Sequence, residues 1–219
     1  RVVYEARLVG RVLAPLARFR CRSPDALYAW AREVPFEDLL DPDETFAVQA
    51  DVSGRHFTHS RYAALRIKDA VVDRFRDRTG RRPSVERDDP TVRLHLHVAG
   101  DEATLSLDAS GGALHRRGYR ERTVAAPMQE TLAAAIVRES GWDGERPLFD
   151  PFCGSGTLLA EALMSHARVP AGYLRAQSGV ERLPDFDAEL WRRVRAAADG
   201  AIRPIAPELI GGADIDPAD

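Results

Sequence analysis

The chain has 219 residues, 44% of them apolar and 30% charged, with a formal net charge of −3. That length buries one large core or two small ones. The composition is that of an ordinary globular protein, no apolar run approaches the roughly 18 residues of a membrane-spanning helix, and the charge balance excludes a uniformly basic nucleic-acid binder. Its two cysteines, Cys21 and Cys153, lie far apart without metal-ligand spacing, which fits a reducing, cytoplasmic setting. The chain opens Arg1-Val2-Val3-Tyr4, with neither a methionine nor a charged-then-apolar leader, and reads as a fragment or processed form without a signal peptide.

Charge is unevenly spread. Residues 1–50 carry 7 basic and 8 acidic side chains, residues 51–124 carry 15 and 11, and residues 125–219 carry 9 and 15. A basic RNA-facing unit joined to an acidic catalytic unit has this pattern, and so do two unrelated solvated surfaces. Lys68 is the only lysine. Arginine's planar fork suits bidentate phosphate contacts, although such a bias also follows from the base composition of a gene.

In chain order, Val3 to Phe19 has apolar residues near helical spacing and predicts helix broken at Pro15. Ser23-Pro24-Asp25 then caps a second helix, Ala26 to Arg32. Thr45 to Val52 alternates as a half-buried strand does. Residues 60–78 predict a helix with Tyr62, Leu65, Val72 and Phe75 on its apolar face, Ser60 as its cap and Gly80 as its stop. Val92 to Val98 and Ala103 to Asp108 alternate on either side of Ala99-Gly100-Asp101 and predict a hairpin. After Ser110-Gly111-Gly112 comes Leu114 to Arg122, with four arginines around Tyr119. Pro127 opens a helix through Val137 that Gly141 stops, a strand ends at Asp150, and a helix runs from Leu158 to about His166. Residues 168–203 read as irregular and partly helical, before a second strand, Leu209 to Asp214.

The most informative stretch is Leu148-Phe149-Asp150-Pro151-Phe152-Cys153-Gly154-Ser155-Gly156-Thr157: a strand end, an acid, a glycine turn and a helix start. An α/β fold presents a ligand pocket at such a place, where glycines let the backbone approach the ligand. Thr157-Leu158 stands where a P-loop needs lysine, and Leu159 where a dinucleotide fingerprint needs a third small residue. The turn resembles the loop that binds S-adenosylmethionine (SAM) in class I methyltransferases. Asp214, at the end of the second strand, is placed to take ribose hydroxyls in bidentate fashion. It stands 58 positions beyond Gly156 rather than the usual ~20, so 168–203 reads as an insertion.

Other candidates have bland rivals. Arg116, Arg117 and Arg120 with Tyr119 suit a phosphate-gripping arm with a stacking ring, and equally a solvated linker. Arg61, Arg66, Lys68 and Arg74 form a phosphate track along one helix, or else pair with Asp69 and Asp73 on a solvated face. His95 and His97 point to one side of a strand, but lack a third ligand, so no metal is expected. Cys153 has no paired base and reads as a small packing residue.

With these residues in hand, the chain resembles the THUMP-containing RNA methyltransferases, and is most similar to the type that methylates the exocyclic amino group of a guanine in 23S ribosomal RNA. Ser60-Arg61-Tyr62, Lys68 to Asp73, Leu107 to Arg120, Ala126-Pro127 with Glu130 to Ala135, Asp150 to Thr157 and Gly212 to Asp216 carry the likeness. It implies an α+β THUMP module followed by the N-terminal part of an α/β Rossmann-like class I methyltransferase domain. The implied boundaries are 1–44 for the end of a ferredoxin-like unit, 45–109 for the RNA-binding module, 110–124 for an arginine-rich linker and 125–219 for the partial methyltransferase domain. SAM is the implied cofactor, held by Asp150 to Thr157 and Asp214, with Thr131 approaching from the preceding helix. Large-subunit ribosomal RNA is the implied partner of a cytoplasmic monomer that needs neither membrane nor metal. The family's Asn-Pro-Pro-Tyr motif, which holds the target amino group, has no counterpart here, because the chain contains no asparagine. No catalytic residue is therefore expected within these residues, and the chain reads as truncated before that motif. A non-catalytic RNA-binding protein with a vestigial methyltransferase half is the rival. A THUMP thiouridine synthase fails because Ser110-Gly111-Gly112 runs into Ala113-Leu114-His115 rather than Ser-Gly-Gly-x-Asp-Ser.

Overall fold

The computed structural model describes residues 1–120, 127–176 and 178–215. Arg122, Ala126 and Asp216, parts of three motifs above, lie outside them. In chain order the elements are α1 (Val2–Glu5), β1 (Leu13–Arg20), α2 (Pro24–Arg32), β2 (Thr45–Ser53), α3 (Ser60–Thr79), β3 (Ser84–Val85), β4 (Val92–Ala99), β5 (Glu102–Asp108), α4 (Glu130–Glu139), β6 (Leu148–Asp150), α5 (Thr157–His166), α6 (Ala188–Asp199) and β7 (Ile210–Gly212). They fall into two compact units. One holds residues 12–112 and 179–186, the other residues 1–11, 113–178 and 187–219.

The unit of residues 12–112 is a five-stranded sheet in the order β1-β5-β4-β2-β3. β2 runs parallel to β3 and β4, and β5 is antiparallel to both β4 and β1. The step from β2 to its parallel neighbour β4 needs a crossover, which α3 supplies. α2 and α3 pack together, and α3 packs on β2. Phe46, Ile67, Val71, Leu96, Val98 and Leu105, all fully buried, form the centre of the core. Each such side chain contributes about 1.5–3 kcal/mol by leaving water.

Four sequence readings are corrected here. Leu13 to Phe19, expected to be helical, is strand β1. Pro15 has no N–H to give, and it sits on an edge strand where the register with β5 shifts between Pro15 and Ala17. The apolar face of α3 also differs: Tyr62 and Leu65 are exposed, and the buried stripe is Ala63, Ile67, Ala70, Val71, Arg74 and Phe75. Ser60 is the first residue of the helix rather than its cap, His59 holds the N-cap position without a side-chain capping bond, and Gly80 ends the helix at φ 70. The boundary expected at residue 44 divides nothing, because β1 and α2 belong to the same sheet and core as β2 to β5.

In the other unit, β6 and β7 pair in parallel, Leu148 with Ile210 through Asp150 with Gly212. α4 packs along α5. α4 starts at Glu130, three residues after the expected Pro127. The helical part of the stretch read as irregular and partly helical is α6, whose start is capped by Asp187 accepting from the N–H groups of Glu189 and Leu190. Tyr4 of α1 holds α6, with its hydroxyl donating to Asp199 at 2.7 Å and its ring edge-on to Trp191. Burial and Asp199 push that hydroxyl up to about 12. Residues 113–120, expected to be linker, belong to this unit.

Candidate functional site

The turn after β6 is built by short-range bonds. Asp150 Oδ1 accepts from the N–H of Phe152 at 3.0 Å, and the N–H of Gly156 donates to the Cys153 carbonyl at 2.9 Å. Gly154 and Gly156 have φ of 51 and 72, a region that favours glycine. A Cβ built on either would meet no described atom within 4 Å, so both turn their α-carbons toward open space. Gly156 then precedes α5, whose first N–H groups have no partner within the helix.

β7 brings the second half of the site. Its pairing with β6 continues as Ala213 N–H to the Asp150 carbonyl at 2.9 Å and Cys153 N–H to the Ala213 carbonyl at 3.0 Å. Asp214 Oδ2 accepts from the N–H of Gly154 at 2.8 Å. The two carboxylates separated by the turn in sequence, Asp150 and Asp214, thus flank one glycine loop. Gly212 is needed for this closeness, since a Cβ there would lie 2.5 Å from Leu159 Cδ1 and 2.9 Å from Cys153 Cβ. Of the other expected cofactor residues, Ser155 Oγ is 3.3 Å from Thr157 Oγ1, while Pro151 and Phe152 are exposed, Phe152 at 84%. Thr131 lies half-buried in the first turn of α4.

The described part of the arginine-rich segment, residues 114–120, does not behave as an arm. Arg117 is 1% exposed, with Nε donating to Glu161 Oε1 at 3.3 Å and the rest of its fork on the carbonyls of Leu114 and Arg7. The Tyr119 hydroxyl donates to the same Glu161 oxygen at 3.2 Å, and burial with that carboxylate pushes it far above its usual range. Arg7, lowered by its own burial, sits 3.7 Å from Glu161 Oε2. The guanidinium of Arg120 is also spent on protein acceptors, bonding Thr157 Oγ1 and the Met128 carbonyl. Arg116 alone of the three is exposed. Glu161 was not anticipated, although a lone acid in the apolar run Thr157 to Met164 is the mark of a buried partner.

Along α3 the expected phosphate track breaks up. Arg74 is buried against Glu37, with bonds of 2.7 and 2.6 Å that hold the Glu37 carboxyl down at about 2. Arg66 stacks 4.6 Å from the Tyr28 ring centroid and pairs with Asp25 at 3.0 Å. Arg61 and Lys68 instead line a groove of about 550 Å³ with Arg87 and Arg93, alongside Gln49 and Ser60. Lys68 pairs with Asp69, and Arg93 donates to the carbonyls of Arg87 and Asp88. Among the described residues, Arg61 and Arg87 have no carboxylate partner. Arg87 and Arg93 escaped the sequence reading because they lie on a loop and a strand beyond α3, outside the reach of its helical spacing. His95 bonds Asp51 at 2.9 Å, and among the described residues no cluster of three His, Cys, Asp or Glu is arranged for a metal.

Comparison with known proteins gives both units a place. Residues 21–108 match the THUMP domain model, and residues 117–218 match the RMKL-like methyltransferase domain model. The chain joins a THUMP domain to an RMKL-like methyltransferase domain. A ribosomal RNA large subunit methyltransferase K/L of Syntrophotalea carbinolica is 48% identical over 195 residues, which are 87% of this chain and 27% of that protein. The chain therefore spans about a quarter of the length of such relatives. Among solved structures, a predicted N6-adenine-specific DNA methylase from Listeria monocytogenes matches with a TM-score of 0.82 at 30% identity, over 99% of this chain and 57% of that one. A putative methyltransferase, SMU.472, complexed with SAH, matches with a TM-score of 0.80 at 26% identity, over 99% and 57%. The fold is thus mixed α/β, with class I methyltransferases as structural neighbours and the THUMP domain on the N-terminal side. The THUMP match begins at residue 21, upstream of the expected 45.

Proposed function

We propose that this protein transfers a methyl group from SAM to the exocyclic amino group of a guanine in 23S ribosomal RNA, acting as a cytoplasmic monomer. The observation that carries the reading is the bond from Gly154 N–H to Asp214, which closes the β6 turn against the end of β7. Asp214 is then the acceptor for ribose hydroxyls, since a carboxylate is an acceptor-only group and this one stands beside the glycine loop. Asp150 brings negative charge to the same loop, and Gly154 and Gly156 leave room for close approach. The donor set therefore fits SAM, which when bound supplies an electrophilic methyl group on a sulfonium. The K/L name of the 48% identical relative and the SAH bound by SMU.472 support the substrate and the cofactor.

RNA falls to the groove of Arg61, Lys68, Arg87 and Arg93, with Arg116 as a further exposed cation. Contacts of this kind hold backbone phosphates and read shape more than sequence. The target guanine must be unstacked to present its amino group.

The test is methyl transfer from labelled SAM to undermodified 23S ribosomal RNA by the full-length protein, with the product mapped by mass spectrometry. Label on the guanine amino group supports the proposal. Label on adenine, or on DNA alone, overturns the substrate part, and no transfer by a protein that binds RNA favours the non-catalytic rival.

A further inference from the structure

Arg120 joins the starts of two helices. One guanidinium nitrogen donates to Thr157 Oγ1 at 3.1 Å and to the Met128 carbonyl at 2.9 Å, and lies 3.3 Å from Glu130 Oε1. Glu130 is the first residue of α4 and Thr157 the first of α5. Both are buried, at 6% and 3% exposure, so water cannot readily replace these bonds. The connection goes one step further, because Thr157 Oγ1 is 3.3 Å from Ser155 Oγ in the glycine loop. Thr157 Oγ1 accepts from Arg120 and shares a second hydrogen bond with the Ser155 hydroxyl. Four residues along α5, on the same face, Glu161 is held by Arg117 and Tyr119. The segment therefore grips α5 at two successive turns.

We infer that Arg120 is a positioning residue for the glycine loop. It fixes Thr157, and through it Ser155, so that the loop keeps its ligand-ready shape before a ligand arrives. The inference rests on the proposal that this loop binds SAM. The loop has little other support on its outer side, where Phe152 is 84% exposed. A ligand that must order its own loop loses affinity, and a loop ordered in advance spares that loss. This role replaces the RNA-gripping one that the sequence suggests for Arg120.

The experiment compares the full-length protein with T157V, T157S, R120Q and E130Q. It measures SAH affinity by calorimetry, KM for SAM against kcat, RNA affinity, and the thermal midpoint. Loss of the Thr157 hydroxyl should weaken SAH about tenfold and raise KM for SAM by a similar factor. RNA affinity should stay unchanged, and T157S should restore SAH binding. R120Q and E130Q should weaken SAH likewise, and R120Q/T157V should be no weaker than the worse single variant, as for residues acting through one contact. If R120Q fails to fold, E130Q decides, because Glu130 contacts Arg120 and is not among the residues expected to hold SAM. The inference is overturned if T157V binds SAH as wild type does, or if R120Q loses RNA affinity and keeps SAH. A wild-type protein that binds no SAH instead removes the cofactor reading, and this inference with it.

Discussion

Arg117 Nε lies 3.3 Å from Glu161 Oε1, and the two side chains are 1% and 0% exposed. Neither can reach solvent, so the Glu161 carboxylate is compensated by Arg117 together with Tyr119 and Arg7. Substituting E161Q should destabilise the methyltransferase unit by about 3–5 kcal/mol, the usual cost of stranding a buried charge. Replacing both partners with methionine should recover most of that loss, because a buried ion pair is often matched by apolar packing. Urea unfolding of the wild type and the two variants checks this. A double variant as unstable as E161Q would mean that the bonds from Arg117 to the carbonyls of Leu114 and Arg7 dominate.

The basic groove makes a prediction about salt. R61A and R87A should each lower affinity for a ribosomal RNA fragment and reduce the slope of log affinity against log salt by about 0.7–0.9. R66A should leave the slope alone, because Arg66 is occupied by Tyr28 and Asp25. Filter binding across salt concentrations reads both. Equal slopes for R61A and wild type would take RNA out of the groove.

Glu37 predicts an acid limit for the THUMP unit. Arg74's hydrogen bonds depress its carboxyl from 4.5 to about 2, so the folded state binds this proton less readily than the unfolded state. The stabilisation is present above pH 4.5 and is lost as pH falls toward 2. In E37Q the contribution is missing at every pH, so the difference in thermal midpoint between wild type and variant should be largest near neutrality and should shrink below pH 4.5. A difference independent of pH would assign the effect to packing.

Gly212 and Gly156 should respond differently to alanine. G212A places a Cβ against Leu159 and Cys153 and should cost about 1–3 kcal/mol of stability through overpacking. G156A meets no described atom and should cost only about 1–2 kcal/mol for its left-handed backbone, while its methyl projects into the space proposed for SAM. Thermal unfolding combined with SAH titration separates the two. Full SAH affinity in G156A would contradict the placement of the ligand.

What the sequence made legible was local. The β6 turn is written in consecutive residues, Asp150 through Thr157, and a glycine turn between strand and helix has few alternatives. The β4–β5 hairpin and the Gly80 stop are equally local and were found as expected. β1 was missed because it is defined by pairing with β5, about ninety residues away, while its own spacing imitates a helix broken by proline. The role of Arg117 was hidden for the same reason: its partner Glu161 lies 44 residues on, and an arginine cluster looks alike whether it faces RNA or a buried acid. The meeting of Gly154 with Asp214 spans 60 residues, and only the parallel pairing of β6 with β7 brings it about.

The most direct measurement is calorimetric titration of SAM into the full-length protein, alongside D150A and D214A. The account predicts saturable one-to-one binding by wild type, with affinity lost in D150A and weakened at least tenfold in D214A, while both variants stay folded. Wild-type affinity in both variants would contradict it.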